Sequence, residues 1–469
     1  YYPMATIQKD LVILGSGPGG YVAAIRGAQL GRQVTIVERD ALGGICLNWG
    51  CIPSKALLKS AQLYHDMKRA SDFGFTTGDL KIDYTKIIGR SRDVAGKLSG
   101  GVAFLMKKNK VEVLNGNGEL DANKRLHVSD KSGNRSTLEF KDVIIATGAR
   151  PRLIPGVEID GEVIHTYRTA LEYKRQPQKV LVIGAGAIGM EFAYFFRTLG
   201  AEVTVAEMLP QILPPEDTEI AESLEKIFKK QGMKIMTGAT VSNLKRNGKS
   251  ASATIKSKDG EEQWSGDLCL VAIGVVPNLD GIGLEKTGIK KSDRGFISID
   301  EMMATNVPNH FAIGDCTGNQ MLAHKASHEG LVAAEAACAK AKHGMKWNNI
   351  PSCTYCQPQV ASVGLTERAV KEKGIKYRIG KIPFSAIGKA IAIGEPEGMV
   401  KVILDAEVGE VLGVHILHSE ATELIAEAGI IRSHEGVAAS VLDTIHAHPT
   451  LSEAMGEVMA IALGRPINF

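Results

Sequence analysis

The chain has 469 residues, 44% of them hydrophobic and 23% charged, which excludes a small stapled scaffold, a disordered chain and a membrane-embedded one; at roughly 150 residues per domain it should hold about three domains. Lys plus Arg total 55 against 52 Asp plus Glu, and a net charge of +3 over so much surface cannot make the basic field that nucleic acid requires. Glycine is abundant at 51 residues, the pattern of a chain with many tight turns and close backbone approaches, as nucleotide-binding folds need.

The opening Tyr1-Tyr2-Pro3-Met4-Ala5-Thr6 lacks the basic and apolar regions of a secretory signal. Met4 is therefore the expected native start, and the compartment is expected to be the cytoplasm, or an organelle lumen reached with a transit peptide since removed. Residues 11–14 read as a strand that runs into Gly15-x-Gly17-x-x-Gly20, a helix-compatible stretch over 21–26, and a second strand over 34–37 ending on Glu38. The first glycine permits the turn, the second lets a pyrophosphate approach the backbone, and the third lets the helix pack close to the strand. The anion then sits at a helix N-terminus, with Glu38 placed to bind a ribose diol.

Just beyond, Cys46-Leu47-Asn48-Trp49-Gly50-Cys51 sets two cysteines beside that site. A continuous helix would rise about 7.5 Å over five residues, beyond the ~7 Å limit on Cα separation for a disulfide. Bridging the two requires a distorted turn, which Asn48 and Gly50 tolerate. The pair reads as redox-active, and a pair of buried thiols is the alternative that spacing also allows. The seven cysteines are otherwise scattered, as in a reducing compartment.

A further strand over 143–146 ends in a turn at Thr147-Gly148, and then the opening unit recurs. Its second copy has a strand over 179–183, Gly184-x-Gly186-x-x-Gly189, a helix through Glu191, and a strand over 202–206 ending on Glu207. The same number of residues separates Gly15 from Gly184 and Glu38 from Glu207, so two dinucleotides are expected, one in each fold. Glu207 would bind a 2′-hydroxyl and repel a 2′-phosphate, and Met208-Leu209-Pro210 offers no arginine, which favours a dinucleotide without a 2′-phosphate. A strand over 270–273 ends in Gly274, and a third apolar strand over 310–313 delivers Asp315, returning the chain to its first fold. From about residue 350, alternating strands precede helices in an α+β block without a phosphate turn. Cys353-Thr354-Tyr355-Cys356 has no second CxxC to complete a zinc site, and on a strand its cysteines would face opposite ways. Both are read as buried thiols, and no metal is expected.

The segment Gly43-Gly44-Ile45-Cys46-Leu47-Asn48-Trp49-Gly50-Cys51-Ile52-Pro53-Ser54-Lys55-Ala56-Leu57-Leu58 resembles the pyridine nucleotide-disulfide oxidoreductases. So do Gly314-Asp315, Met321-Leu322-Ala323-His324-Lys325-Ala326 and His446-Ala447-His448-Pro449-Thr450-Leu451-Ser452-Glu453-Ala454, and the resemblance covers essentially the whole chain. It implies an α/β architecture of two Rossmann-like dinucleotide-binding domains, for FAD and NAD, plus a C-terminal α+β dimerisation domain. The implied segments are 1–150 for FAD, 151–277 for NAD, 278–348 returning to the FAD domain, and 349–469 for the interface.

The resemblance also implies the site. FAD would be held by Gly15, Gly17, Gly20, Glu38, Lys55, Gly118, Thr147, Gly148, Asp315, Met321, Leu322, Ala323 and His324. NAD would be held by Gly184, Gly186, Ile188, Gly189, Glu191, Glu207, Val241 and Gly274, with Glu191 also pairing Lys55 beside the flavin. Cys46 would exchange with substrate and Cys51 would pass electrons to the flavin; His448 would be the acid–base residue, Glu453 its orienting partner and His446 a support. A homodimer with a shared active site is implied, His448 serving the cysteines of the other subunit. The implied substrate is a protein-bound dihydrolipoyl dithiol, on lipoyl domains of 2-oxoacid dehydrogenase or glycine-cleavage complexes, with NAD⁺ as acceptor. Another FAD-dependent disulfide reductase of this family and a complex-bound, non-catalytic subunit are the rivals. Three residues depart from the family pattern: Ile45 stands in place of Thr, Gln320 in place of Pro, and His328 where Glu is common.

Overall fold

The computed structural model describes residues 6–468, so the expected start at Met4 lies outside the described residues. The chain divides into two compact units. One gathers the described residues up to Ala56 with Thr85–Arg152 and Gly274–Lys346; the other gathers Leu57–Tyr84, Leu153–Ile273 and the described residues from Trp347 onward.

In the first unit, β1 (Thr6–Leu14) is followed by α1 (Pro18–Gln29) and β2 (Val34–Glu38), and the two strands pair in parallel. Leu11, Val12, Ile13 and Leu14 are all buried, without the alternation of a one-sided strand, because both faces of a parallel sheet are covered. Glu112–Asn115 extends the sheet beyond β2, and Arg135–Ile145 lies parallel on the other side of β1. The early part of Arg135–Ile145 also pairs antiparallel with Arg125–Ser129, which pairs with Asn117–Leu120. The strand His310–Ala312 runs parallel to its last three residues, so the chain does come back to this sheet. Ala149–Pro151 and Val275–Pro277 pair antiparallel, which brings the outgoing and returning chain side by side. The helix Ala323–Ala337 packs tightly on α1: a Cβ on Gly19 would come within 2.9 Å of the Ala326 carbonyl oxygen.

The second unit carries a five-stranded parallel sheet in which Lys179–Ile183 lies between Glu202–Glu207 and Leu268–Val271. A three-stranded antiparallel meander, Thr240–Asn247, Ser250–Ser257 and Gly260–Gly266, adds Trp264 to the same core. The C-terminal block is a five-stranded antiparallel sheet covered by Ala421–Ser433, Ala438–Leu442 and Glu453–Ala462, with Val400, Val402, Ile416, Met455 and Val458 in its core. Leu57–Tyr84 clusters here because Arg69 pairs with Glu395 at 2.9 Å and the Tyr84 ring lies 6.0 Å from that of Phe195. A buried lysine, Lys401, sits 2.9, 2.8 and 2.7 Å from Asp217, Glu219 and Glu367. Among the described residues no helix is long and apolar enough to cross a membrane.

Cys353 and Cys356 correct one expectation. Cys356 is buried, but Cys353 is half-buried, because its strand Ser352–Thr354 is the sheet's edge. That strand ends before Cys356, so opposite strand faces do not account for their separation.

Candidate active site

The two glycine turns are near-copies in atomic detail. Gly15 and Gly184 have φ of 104° and 100°, and a Cβ on either would collide with the carbonyl oxygen of Ala146 or Ala272. A Cβ on Gly20 or Gly189 would collide with the carbonyl oxygen of Gly15 or Gly184, so helix and strand meet without room for a side chain. At Gly17 and Gly186 the added Cβ meets nothing within 4 Å. The middle glycine therefore keeps a space open rather than relieving a contact, which fits a turn that admits a pyrophosphate. Neither α1 nor Ala187–Thr198 has a side-chain cap, so their first N–H groups remain available to an anion.

Each turn is latched to its acid. Glu38 Oε2 accepts from the Ser16 N–H at 2.9 Å and Ser16 Oγ at 2.6 Å, while its Oε1 accepts from the Asp40 N–H at 2.8 Å. Glu207 repeats this, Oε2 accepting from the Ala185 N–H at 2.6 Å and Oε1 from the Leu209 N–H at 2.8 Å. Both carboxylates are buried. The reading of the sequence found the acids but missed Ser16, whose position inside the glycine motif was the available signal.

The cysteine pair straddles a break. Cys46 lies in α2 (Gly44–Trp49) and Cys51 opens α3 (Cys51–Lys68). Gly50 between them has φ −143° and ψ −115°, well outside helical values. The distortion the spacing demands is thus at Gly50. Asn48 takes no part in it; it is helical and buried, its Nδ2 donating to Leu42 O at 3.0 Å and Gly44 O at 2.9 Å. Ile45 packs over the break, its Cγ2 3.3 Å from where a Gly50 Cβ would stand. The pair is in its dithiol form, with Cys46 hydrogen-bonded to Cys51. That bond, then burial, then negative charge on Cys51 push the Cys46 thiol well up, and nearby Lys55 partly offsets them. Charge in the dithiol is therefore better placed on Cys51, at a helix N-terminus, than on Cys46.

His448 and Glu453 lie in the second unit. His448 Nδ1 is 2.9 Å from Glu453 Oε1, and the imidazole is 79% exposed. Glu453 Oε2 accepts from the Thr450 N–H at 2.8 Å, and this bond, with His448, holds its carboxyl below the usual range. His446 Nε2 pairs with Glu427 at 2.7 Å and is nearly buried.

Asp315 lies in the turn Gly314–Thr317, where burial pushes its carboxyl up and Lys325 holds it down. Met321 is exposed, Leu322 caps the helix Ala323–Ala337, and Ala323 and His324 form its first turn. The Thr147 carbonyl accepts from Asn278 at 3.0 Å and Gly148 has φ 68°. Gly118 is a packing position, since its Cβ would come within 2.7 Å of Leu14. In the second unit, Ile188 is exposed on the first turn of its helix, Glu191 accepts from the Tyr355 N–H at 3.0 Å, and Val241 is half-buried on the meander. Gly274 falls in the first unit, its carbonyl accepting from the Arg152 N–H at 2.9 Å. Gln320 and His328 are exposed, and nothing in the structure explains either.

A dihydrolipoyl dehydrogenase of Zymomonas mobilis subsp. mobilis is 50% identical over 464 residues, covering 98% of this chain and 99% of the relative. One from Bacillus subtilis is 43% identical, covering 99% of this chain and 100% of the relative. Among solved structures, LpdA from Mycobacterium tuberculosis has a TM-score of 0.90 at 29% identity, covering 96% of this chain and 99% of that one. The profile described as pyridine nucleotide-disulphide oxidoreductase matches residues 9–330, and that of the family's dimerisation domain matches residues 350–459. With both profiles matched in order and full-length relatives at this identity, the chain belongs to the pyridine nucleotide-disulphide oxidoreductases.

Proposed function

We propose that this oxidoreductase acts as a dihydrolipoyl dehydrogenase, oxidising protein-bound dihydrolipoamide and reducing NAD⁺. The observation that carries this reading is the Cys46–Cys51 dithiol, hydrogen-bonded across the Gly50 break with Lys55 close by. The names of the full-length relatives support it. FAD bound at the first glycine turn supplies the two-electron relay from the cysteine pair to the nicotinamide. Gly15, Gly17, Gly20 and Glu38 hold its nucleotide end, and Lys55, Thr147, Gly148, Asp315 and residues 321–324 serve the rest. Gly184, Gly186, Gly189 and Glu207 hold NAD⁺, and Glu207 disfavours a 2′-phosphate.

The chain's own residues perform the thiol chemistry. His448 Nε2 takes the proton of one substrate thiol, while Glu453 fixes the imidazole through Nδ1. The resulting thiolate attacks Cys46 in the closed disulfide; the S–S bond breaks and Cys51 leaves as a thiolate at the start of α3. The second substrate thiol displaces Cys46, giving up its proton to the departing sulfur and closing the lipoyl disulfide. Cys46 finishes protonated and Cys51 charged, in line with the direction in which Cys46 is shifted. The proton on His448 is released to balance NADH formation. Because its imidazole is exposed on the single chain and the dimerisation profile matches residues 350–459, His448 is assigned to the cysteine pair of a second copy in a homodimer. The partners are lipoyl domains of 2-oxoacid dehydrogenase or glycine-cleavage complexes, in the cytoplasm.

Purified protein mixed with dihydrolipoamide and NAD⁺ should form NADH, with far slower turnover on NADP⁺. Absence of NADH, together with NADPH oxidation by glutathione disulfide, would transfer the chain to another disulfide reductase activity.

A further inference from the structure

Between the strand His310–Ala312 and the helix Ala323–Ala337, the turn Gly314–Thr317 carries Asp315. Gly314 and Gly318 at its ends have φ of 76° and 78°, a conformation that glycine adopts without strain. One ion pair holds both ends. Lys325 Nζ donates to the carbonyl oxygens of Gly314 and Gly318, each at 3.2 Å, and lies 3.0 Å from Glu329 Oε2. The same Glu329 oxygen accepts from the Gly314 N–H at 2.7 Å.

Both side chains of this pair are 0% exposed. A fully buried ion pair is a poor source of stability, since apolar residues of similar volume often do as well or better. Its geometry points to another use. The pair sits one helical turn apart on Ala323–Ala337, the helix whose Ala326 and Gly330 press against Gly19 at the start of α1. The turn bearing Asp315 and the helix behind the first glycine turn are thus tied to one rigid element. Glu329 Oε1 is buried without a hydrogen bond among the described residues, so that carboxylate is spent on the turn through one oxygen.

We propose that Lys325 and Glu329 are positioning residues for the flavin, fixing the glycine ends of the Asp315 turn at a set spacing from the pyrophosphate turn. This rests on the reading that FAD occupies the first glycine turn. The test uses the full-length chain carrying K325M with E329L, which removes both members of the pair together, so that neither is left buried without the other. Flavin is stripped, apoprotein melting is measured, and FAD is titrated back by fluorescence quenching and visible circular dichroism. The double variant should melt within a few degrees of wild type yet bind FAD at least tenfold more weakly, with an altered flavin dichroism. FAD affinity and dichroism equal to wild type overturn the inference. So does a double variant that does not fold, because the pair is then a folding requirement. A wild-type chain that takes up no FAD overturns the functional reading and this inference with it.

Discussion

The open space at Gly17 makes a sharp prediction when set against the crowding at Gly20. Gly17 has φ −59° and ψ −178°, values any residue adopts, and its added Cβ meets nothing. Gly17→Ala should therefore leave the apoprotein at least as stable as wild type, with a gain of about 0.4–1 kcal/mol from the stiffer unfolded chain. Its methyl group nevertheless occupies the space through which a pyrophosphate reaches the backbone. Losing one N–H bond to a charged phosphate costs about 1.5–3 kcal/mol, which is about 10- to 150-fold in FAD affinity. Gly20→Ala drives a methyl into the Gly15 carbonyl and should destabilise the apoprotein by about 1–3 kcal/mol or more. Apoprotein melting and FAD titration separate the two effects. A Gly17→Ala variant that bound FAD like wild type, or melted like Gly20→Ala, would refute the reasoning. Gly186→Ala should repeat the result for NADH while leaving FAD content unchanged.

Further outcomes are expected at the acid–base pair and at the buried lysine. His448→Gln should lose about 10²- to 10⁴-fold in turnover with dihydrolipoamide while keeping its flavin spectrum. Glu453→Gln should lose less, since the amide oxygen can still accept from Nδ1–H and hold the ring; a loss as large as that of His448→Gln argues against a purely orienting role. Lys401→Met leaves Asp217, Glu219 and Glu367 facing one another around a buried position and should cost about 3–5 kcal/mol in urea unfolding. Hydrogen bonds from Lys371 and Lys401 hold Glu367 down to about 2, so its contribution is whole above the ordinary carboxylate range and is lost as pH falls toward that value. Stability between pH 5 and 3 should therefore depend less on pH in the variant than in wild type.

The duplicated turn was legible because its constraints are local: strand, glycines and acid follow one another within a few dozen residues, and both copies fold alike down to the oxygen that accepts each bond. The need for a break between the cysteines was legible from helix rise alone. Its placement was not, since Asn48 and Gly50 both tolerate unusual backbone and the choice was made by Asn48 finding two carbonyls to bond. At Gly118 close packing on Leu14 and close approach of a ligand both demand glycine, and sequence alone does not separate the two. Lys325 and Lys401 were invisible for a different reason. A lysine four residues before a glutamate, as Lys325 is before Glu329, is ordinarily a solvated surface pair, and the acids around Lys401 come from distant segments of the chain.

The Gly50 break also bears on how the enzyme survives repeated turnover. Each sulfur rides on its own helix, and the two helices meet at a single non-helical residue. Opening and closing a covalent bond between them can be absorbed by rotation at that one residue, so neither helix has to unwind. Asn48, bonded back to Leu42 and Gly44, keeps the upstream helix seated. Any change in the distance between the two sulfurs then falls first on one residue rather than on either helix.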